Sequence, residues 1–354
     1  MSLSFLQRVP QPLLRPLIPL TAVLIALLFG VALVAATGAS VSEALGAFAE
    51  GAWGSPYAIA ASINRSLVFA LVGIGFVLAE RARLINVGGE GQIAVGGIAA
   101  TAVSLYGGAA DLLAFILPLL AAALAGGLWG GLPGVLKVKA GTNEVISTLM
   151  LSFIGIWLLY WCVQSSALLR QPMSNSGTLP ESLEIPSSTM LPFFFGDPSM
   201  PLHVGLPAVL VIGPLVALVL WRTLFGMHLR SVGLNQQAAH RAGMPIARTL
   251  ILAMFIAGAL GGLAGGFMLQ GEQYSLKAGF SSGFGFDGLV VGLLARGSIA
   301  GVFAGALLFG FLRSGGIYME MVAQVPSALV LVVQGVIILT LAAVTLINRR
   351  GEAV

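Results

Sequence analysis

Residues 112–136 read LLAFILPLLAAALAGGLWGGLPGVL, a run of 25 residues without one charge. As a helix rising 1.5 Å per residue, such a run outreaches the roughly 30 Å of hydrocarbon in a bilayer. Leu17 to Ala36 and Leu250 to Leu269 are uncharged as well. Barrel strands alternate apolar and polar residues over about ten positions, whereas these runs are continuous and longer. Lipid requires every backbone polar group to be paired within the protein, so only helices or a closed barrel can span it, and the pattern selects helices. The rest of the composition agrees. Hydrophobic residues make up 58% of the chain and charged residues 8%, against about 25% charged in a soluble domain. Mean hydropathy is +0.99. The fold class expected is an all-α polytopic membrane protein forming a single transmembrane domain over residues 1–354.

About ten transmembrane helices are expected, at 16–36, 58–79, 88–106, 112–136, 145–166, 204–221, 249–270, 283–296, 298–315 and 326–347. Arg8 and Arg15 before the first apolar run could imitate a signal peptide, but that run exceeds the 7–15 residues of a signal core, so an uncleaved first span is expected. With both termini inside, the inner segments hold Arg8, Arg15, Arg81, Arg83, Lys137, Lys139, Arg222, Arg230, Arg241, Arg248, Arg296, Arg349 and Arg350. The outer side holds only Arg65, Arg170, Lys277 and Arg313. Lys and Arg concentrate on cytoplasmic loops, which predicts a multi-pass protein of the bacterial cytoplasmic membrane with both termini cytoplasmic. The same rule accounts for the pI near 9.6 without nucleic acid. Cys162 is the one cysteine, so neither an intrachain disulfide nor a cysteine zinc site can form. His203, His228 and His240 lack metal-ligand spacing, and no metal or cofactor is expected.

The stretch 167–203 carries Pro172, Pro180, Pro186, Pro192 and Pro201 and reads as an irregular external loop between two halves. Each half contains a similar device. NVGGEGQ (86–92) leads into IAVGGIAA, and GFGFDG (283–288) leads into LVVGLLARG. Each sets a carboxylate, Glu90 or Asp287, directly before a glycine at the start of a short apolar helix. One enters from inside and the other from outside, the signature of an inverted repeat with two short or broken central helices. From Asp287 to Arg296 a helix rises only about 12 Å, so the Gly-rich approach from Lys277 is expected to cover the remaining depth in extended form. Positive helix ends favour carboxylates. Glu90 and Asp287 therefore read either as helix-capping acids or as residues that touch a solute.

The segment 231–245 is polar and basic, and reads as a short amphipathic helix. Asn235 is a good N-cap and Gly243 a natural stop. Gly233, Ala238, Ala239, Ala242 and Gly243 are small enough for another backbone to approach closely.

The stretch LRSVGLNQQAAHRAGMPIARTL (229–250) resembles the coupling-helix region of ABC-importer permeases of the ribose, branched-chain amino-acid and nucleoside group. INVGGEGQIAVGGIAA (85–100), KAGTNEVISTLMLSFI (139–154) and the stretch from Gly283 to Gly316 resemble further hallmarks of that group. The likeness runs from about residue 60 to 345, and is greatest to the longer permease subunit of bacterial nucleoside systems served by a BMP-type lipoprotein. The resemblance implies alternating access, driven by partner ATP-binding subunits docking at Gly233, Asn235, Ala238, Ala239, Ala242 and Gly243. It implies a second permease subunit, different or identical, and an external solute-binding lipoprotein. It also implies that this chain is a transport subunit and no enzyme. No G-x-x-x-x-G-K-[ST] occurs in it.

A nucleoside requires polar contacts and an apolar face, for which Asn86, Glu90, Gln92, Asn143, Glu144, Phe284 and Asp287 are the candidates. Asn143 and Glu144 serve equally well as the cap of the fifth span. A sugar or amino acid as cargo remains an alternative. So does an ion-coupled secondary transporter, which also uses inverted repeats and broken helices. An intramembrane enzyme would need clustered His or Asp, or a Ser/Lys pair at membrane depth, and the sequence offers none.

Overall fold

The computed structural model describes residues 24–25, 28–108, 112–172, 180–336 and 339–340. The chain divides into two compact units, one of residues 59–310 and one of residues 1–58 with 311–354. The named α-helices are α1 (Val41–Trp53), α2 (Pro56–Glu80), α3 (Gly89–Tyr106), α4 (Leu112–Ala140), α5 (Glu144–Gln164), α6 (Gly205–Arg222), α7 (Leu224–Leu234), α8 (Gln236–Arg241), α9 (Ile246–Met268), α10 (Phe284–Leu294) and α11 (Ile299–Ala323). A π-helical segment, Leu269–Gln273, prolongs α9. Among the described residues six helices are long and apolar enough to cross a membrane, namely α2, α4, α5, α6, α9 with its π segment, and α11.

The unit of residues 59–310 is organised around α9, which packs chiefly on α4 and α3. Glycines set these contacts. A Cβ added to Gly262 would lie 2.1 Å from the Ala122 carbonyl oxygen, and one added to Gly96 would lie 2.4 Å from that of Gly262. The backbones of the three helices therefore touch directly, the packing that small residues permit in lipid. Gly134 meets Ile251 while Gly126 meets Gly258 and Gly262, so α4 and α9 run antiparallel. The outer face of α4 is the reverse of its inner one. Leu113, Leu117, Leu120, Leu124, Leu128, Leu132 and Leu136, three or four residues apart, are all exposed. Glycine buried inside and leucine outside is the pattern for a helix whose solvent is hydrocarbon.

In the other unit, a Cβ on Gly51 of α1 would lie 2.1 Å from Cβ of Tyr318, which draws α1 against the second half of α11. Val34, Phe48, Leu312 and Val330 help line an apolar cavity of about 190 Å³ there.

Several elements depart from the sequence expectation. α11 continues beyond 315 to Ala323, carrying Arg313 within the helix. The short helix α1 was not expected. The segment 231–245 holds the end of α7 and the whole of α8, joined at Asn235. Of the first span, 16–36, residues 24–25 and 28–36 are described and helical, and of the tenth, 326–347, the part 328–336 is described as helical. The Pro-rich stretch 167–203 is pinned down over most of its described length. Ser182 donates to the Leu276 carbonyl, Ile185 to Tyr274 and Leu191 to Gln270, at 2.8–2.9 Å.

The approach to α10 is also different. Residues 278–283 turn instead of extending, with Phe280 N–H bonded to the Lys277 carbonyl and Phe284 N–H to that of Ser281. An extended strand there would leave its N–H groups without acceptors at membrane depth, and the turns supply them.

Candidate functional site

α3 and α10 meet end to end. Glu90 is the second residue of α3, and Asp287 lies in the first turn of α10. The Glu90 side chain crosses between the two helices. Its Oε1 accepts the N–H of Gly283 and its Oε2 that of Gly285, both at 2.7 Å. One carboxylate thus sits at the start of its own helix and caps another, where two positive dipole ends converge. The backbones touch at this point, since a Cβ on Gly285 would lie 2.1 Å from the Glu90 nitrogen. Gly283 holds φ +85° as the N-cap of α10, a conformation open to glycine without strain. With both oxygens engaged by backbone donors, Glu90 ties the starts of the two helices together.

Of the other expected site residues, Asn86, Gln92, Phe284 and Asp287 fall around this junction. Asn86 and Gln92, both buried, form a reciprocal amide pair at 3.1 and 3.2 Å, and Asn86 Oδ1 also accepts the Gly88 N–H. Phe284 is buried and stacks on Phe69 with ring centroids 4.9 Å apart. Asp287 is half-buried. Asn143 lies apart from the junction and caps α5, accepting from the Val145 N–H at 2.9 Å. Glu144 pairs with Lys137 at 2.6 Å.

A second candidate region lies where α2 ends and α7 and α8 follow. Thr223 caps α7, and Asn235 Oδ1 caps α8 by accepting the Ala238 N–H at 3.0 Å. α8 closes in a Schellman motif. Met244 N–H bonds to the Ala239 carbonyl and Gly243 N–H to that of His240, with Gly243 at φ +74°. Ala238, Ala242 and Gly243 are exposed, while Ala239 is buried against the core. Gly233 is buried, and a Cβ there would lie 2.1 Å from the Arg81 carbonyl oxygen. The expected docking residues thus divide into an exposed surface (Asn235, Ala238, Ala242, Gly243) and a seat beneath it (Gly233, Ala239).

Three features escaped the sequence reading. Arg65 and Glu272 form an ion pair at 2.6 Å. A charge within an expected span was the available signal for Arg65. Arg81 and Arg230 both lie against the Trp221 ring, at 5.8 and 5.0 Å from its centroid. His203, read as part of a polar connection, is 1% exposed and packs edge-on to Phe267. Burial pushes its imidazole down to about 4, so it is neutral, with Nδ1 accepting the Gly205 N–H at 3.1 Å. Among the described residues no three His, Cys, Asp or Glu side chains gather as a metal site would require.

Residues 58–342 match the sequence family described as branched-chain amino acid transport system / permease component. Over 332 residues, 92% of each chain, the protein is 35% identical to the guanosine ABC transporter permease protein NupP of Bacillus subtilis. It is 31% identical to the glucose ABC transporter permease protein TsgB13 of Haloferax volcanii, covering 91% of this chain and 86% of that one. It is 29% identical to the nucleoside ABC transporter permease protein NupB of Lactococcus lactis, covering 89% and 90%. No solved structure gives a significant match.

Proposed function

Because this chain belongs to the permease-component family just described, a family of multi-pass membrane transport subunits, we propose that it moves a nucleoside into the cell as one subunit of an ABC importer. The observation that carries the reading is α8. It is a short helix closed at both ends by its own sequence, with exposed small residues above and a rigid seat at Gly233 below. Such a helix transmits a push instead of absorbing it. Separate ATP-binding subunits grip it on the cytoplasmic face of a bacterial inner membrane, with both termini on that side. A second permease subunit completes the pathway, and a solute-binding lipoprotein supplies cargo outside. The nucleoside assignment is supported by the relatives, of which NupP and NupB carry guanosine and nucleoside in their names.

Within this reading most of the candidate pathway residues act through the structure they hold. Asn86, Glu90 and Gln92 have their polar atoms engaged inside the chain, Phe284 is stacked and buried, and Asn143 caps a helix. These five hold the pathway's shape.

The test is uptake of radiolabelled guanosine by proteoliposomes holding the chain with its partner permease, ATP-binding subunits and lipoprotein, in competition with glucose and with leucine. Uptake that needs ATP, stops with vanadate, survives a protonophore and yields only to nucleosides agrees with the proposal. Uphill uptake by the chain alone, or uptake abolished by the protonophore and indifferent to vanadate, sinks it.

A further inference from the structure

We propose that Arg81 is the positioning residue through which displacement of the α7–α8 segment reaches the half-helix α10. The inference rests on the permease reading above and adds a route to it. Arg81 follows directly on the last residue of α2 and touches three other elements. Its carbonyl is the floor under Gly233 of α7, with no space for even one methyl group between them. Its guanidinium donates to the carbonyl of Gly297, in the turn that follows α10. Gly297 holds φ +77°, and a Cβ there would stand 2.9 Å from a guanidinium nitrogen, so the turn is shaped around this side chain. The same guanidinium lies against the Trp221 ring at the end of α6, and Arg230 of α7 lies against that ring too.

The far end of α10 is held by Glu90, which is part of the helical body packed through glycines. Thus α10 is fixed at its start to the packed body and at its finish to Arg81. Gly233 cannot move toward the end of α2 without displacing the Arg81 backbone, and with it the hold on Gly297. A planar guanidinium can face an aromatic ring while donating in its plane, which an ammonium cannot do. The chemistry of the contact therefore favours Arg over Lys.

The experiment uses the reconstituted complex and measures guanosine transported per ATP hydrolysed, with co-purification of the ATP-binding subunits as the assembly control. Arg81→Ala should leave assembly intact and hydrolysis within about twofold, while transport per ATP falls about tenfold; Arg81→Lys should recover part of it. If the alanine variant does not assemble, Arg81→Met takes its place, since its side chain fills the space but cannot donate to Gly297. An unchanged ratio in Arg81→Ala or Arg81→Met overturns the inference. So does a parallel fall of transport and hydrolysis, with lysine no better than alanine, which marks a residue needed only for folding. A wild-type complex whose uptake ignores ATP overturns the permease reading itself, and this inference with it.

Discussion

Glu90→Gln tests whether the junction of the two half-helices is held by a carboxylate. The native side chain accepts two backbone N–H groups at 2.7 Å, one through each oxygen. Glutamine keeps one acceptor and turns its amide NH2 toward the other donor, so one bond is lost and two donors face each other. A hydrogen bond to a charged group contributes about 1.5–3 kcal/mol, and a buried donor left without an acceptor costs about 1–3. The Gly285 nitrogen belongs to a buried residue. Loss of charge beside two helix N-termini adds about 0.3–1 kcal/mol. Glu90→Gln should therefore destabilise the chain by about 2–4 kcal/mol, and Glu90→Ala, which loses both bonds, by about 3–6. Unfolding free energies of the purified subunit in mixed detergent and SDS micelles, followed by tryptophan fluorescence, give the values. A Glu90→Gln variant within about 0.5 kcal/mol of the wild type, the range of an ordinary surface substitution, would refute the capping argument.

Gly285→Ala drives a methyl group into the Glu90 backbone, where neither side can yield. The same unfolding assay should register a loss of about 3 kcal/mol or more, at the upper end of overpacking costs. Gly243→Val forces a β-branched residue into φ +74° and strains the end of α8, at a cost of about 1–2 kcal/mol. The subunit should remain folded yet retain less of its ATP-binding partner on an affinity column; undiminished retention would detach α8 from docking. His203 makes stability depend on pH. Its folded value is about 4, below the usual 6.5 or so, so the unfolded chain takes up the proton first and stability drops as pH falls from about 6.5 to 4, by about 3 kcal/mol in all. His203→Asn, whose side-chain oxygen can still accept the Gly205 N–H, should flatten that slope between pH 7 and 4.5, and a slope equal to the wild type would place its origin elsewhere.

Much of this was legible in the residues. Asn235 and Gly243 mark the ends of α8 because helix caps are local. A side-chain oxygen reaches a backbone N–H three residues on, and a glycine accepts the left-handed turn. The acids after glycine-containing stretches located the starts of α3 and α10. The sequence pointed to Glu90 without saying what it holds. As a local feature it reads as an acid in the first turn of its own helix, whereas its bonds go to residues 193 and 195 positions away. Asn86 and Gln92 look like free polar groups in one dimension, and only their proximity in the fold makes them satisfy each other. Arg81 reads as a loop charge on the inner side, and nothing local reveals the glycines and the indole that surround it.

Lipid imposes its demand residue by residue along the chain, and so helical class, membrane residence and most of the helices follow from the order of apolar and charged side chains alone. The meeting of α3 with α10 and the seating of α7 on the end of α2 do not. They depend on which glycines face which backbones across long separations, and glycine leaves no directional mark in a sequence. Its meaning is the neighbour that its missing side chain admits, and that neighbour is chosen by the tertiary fold.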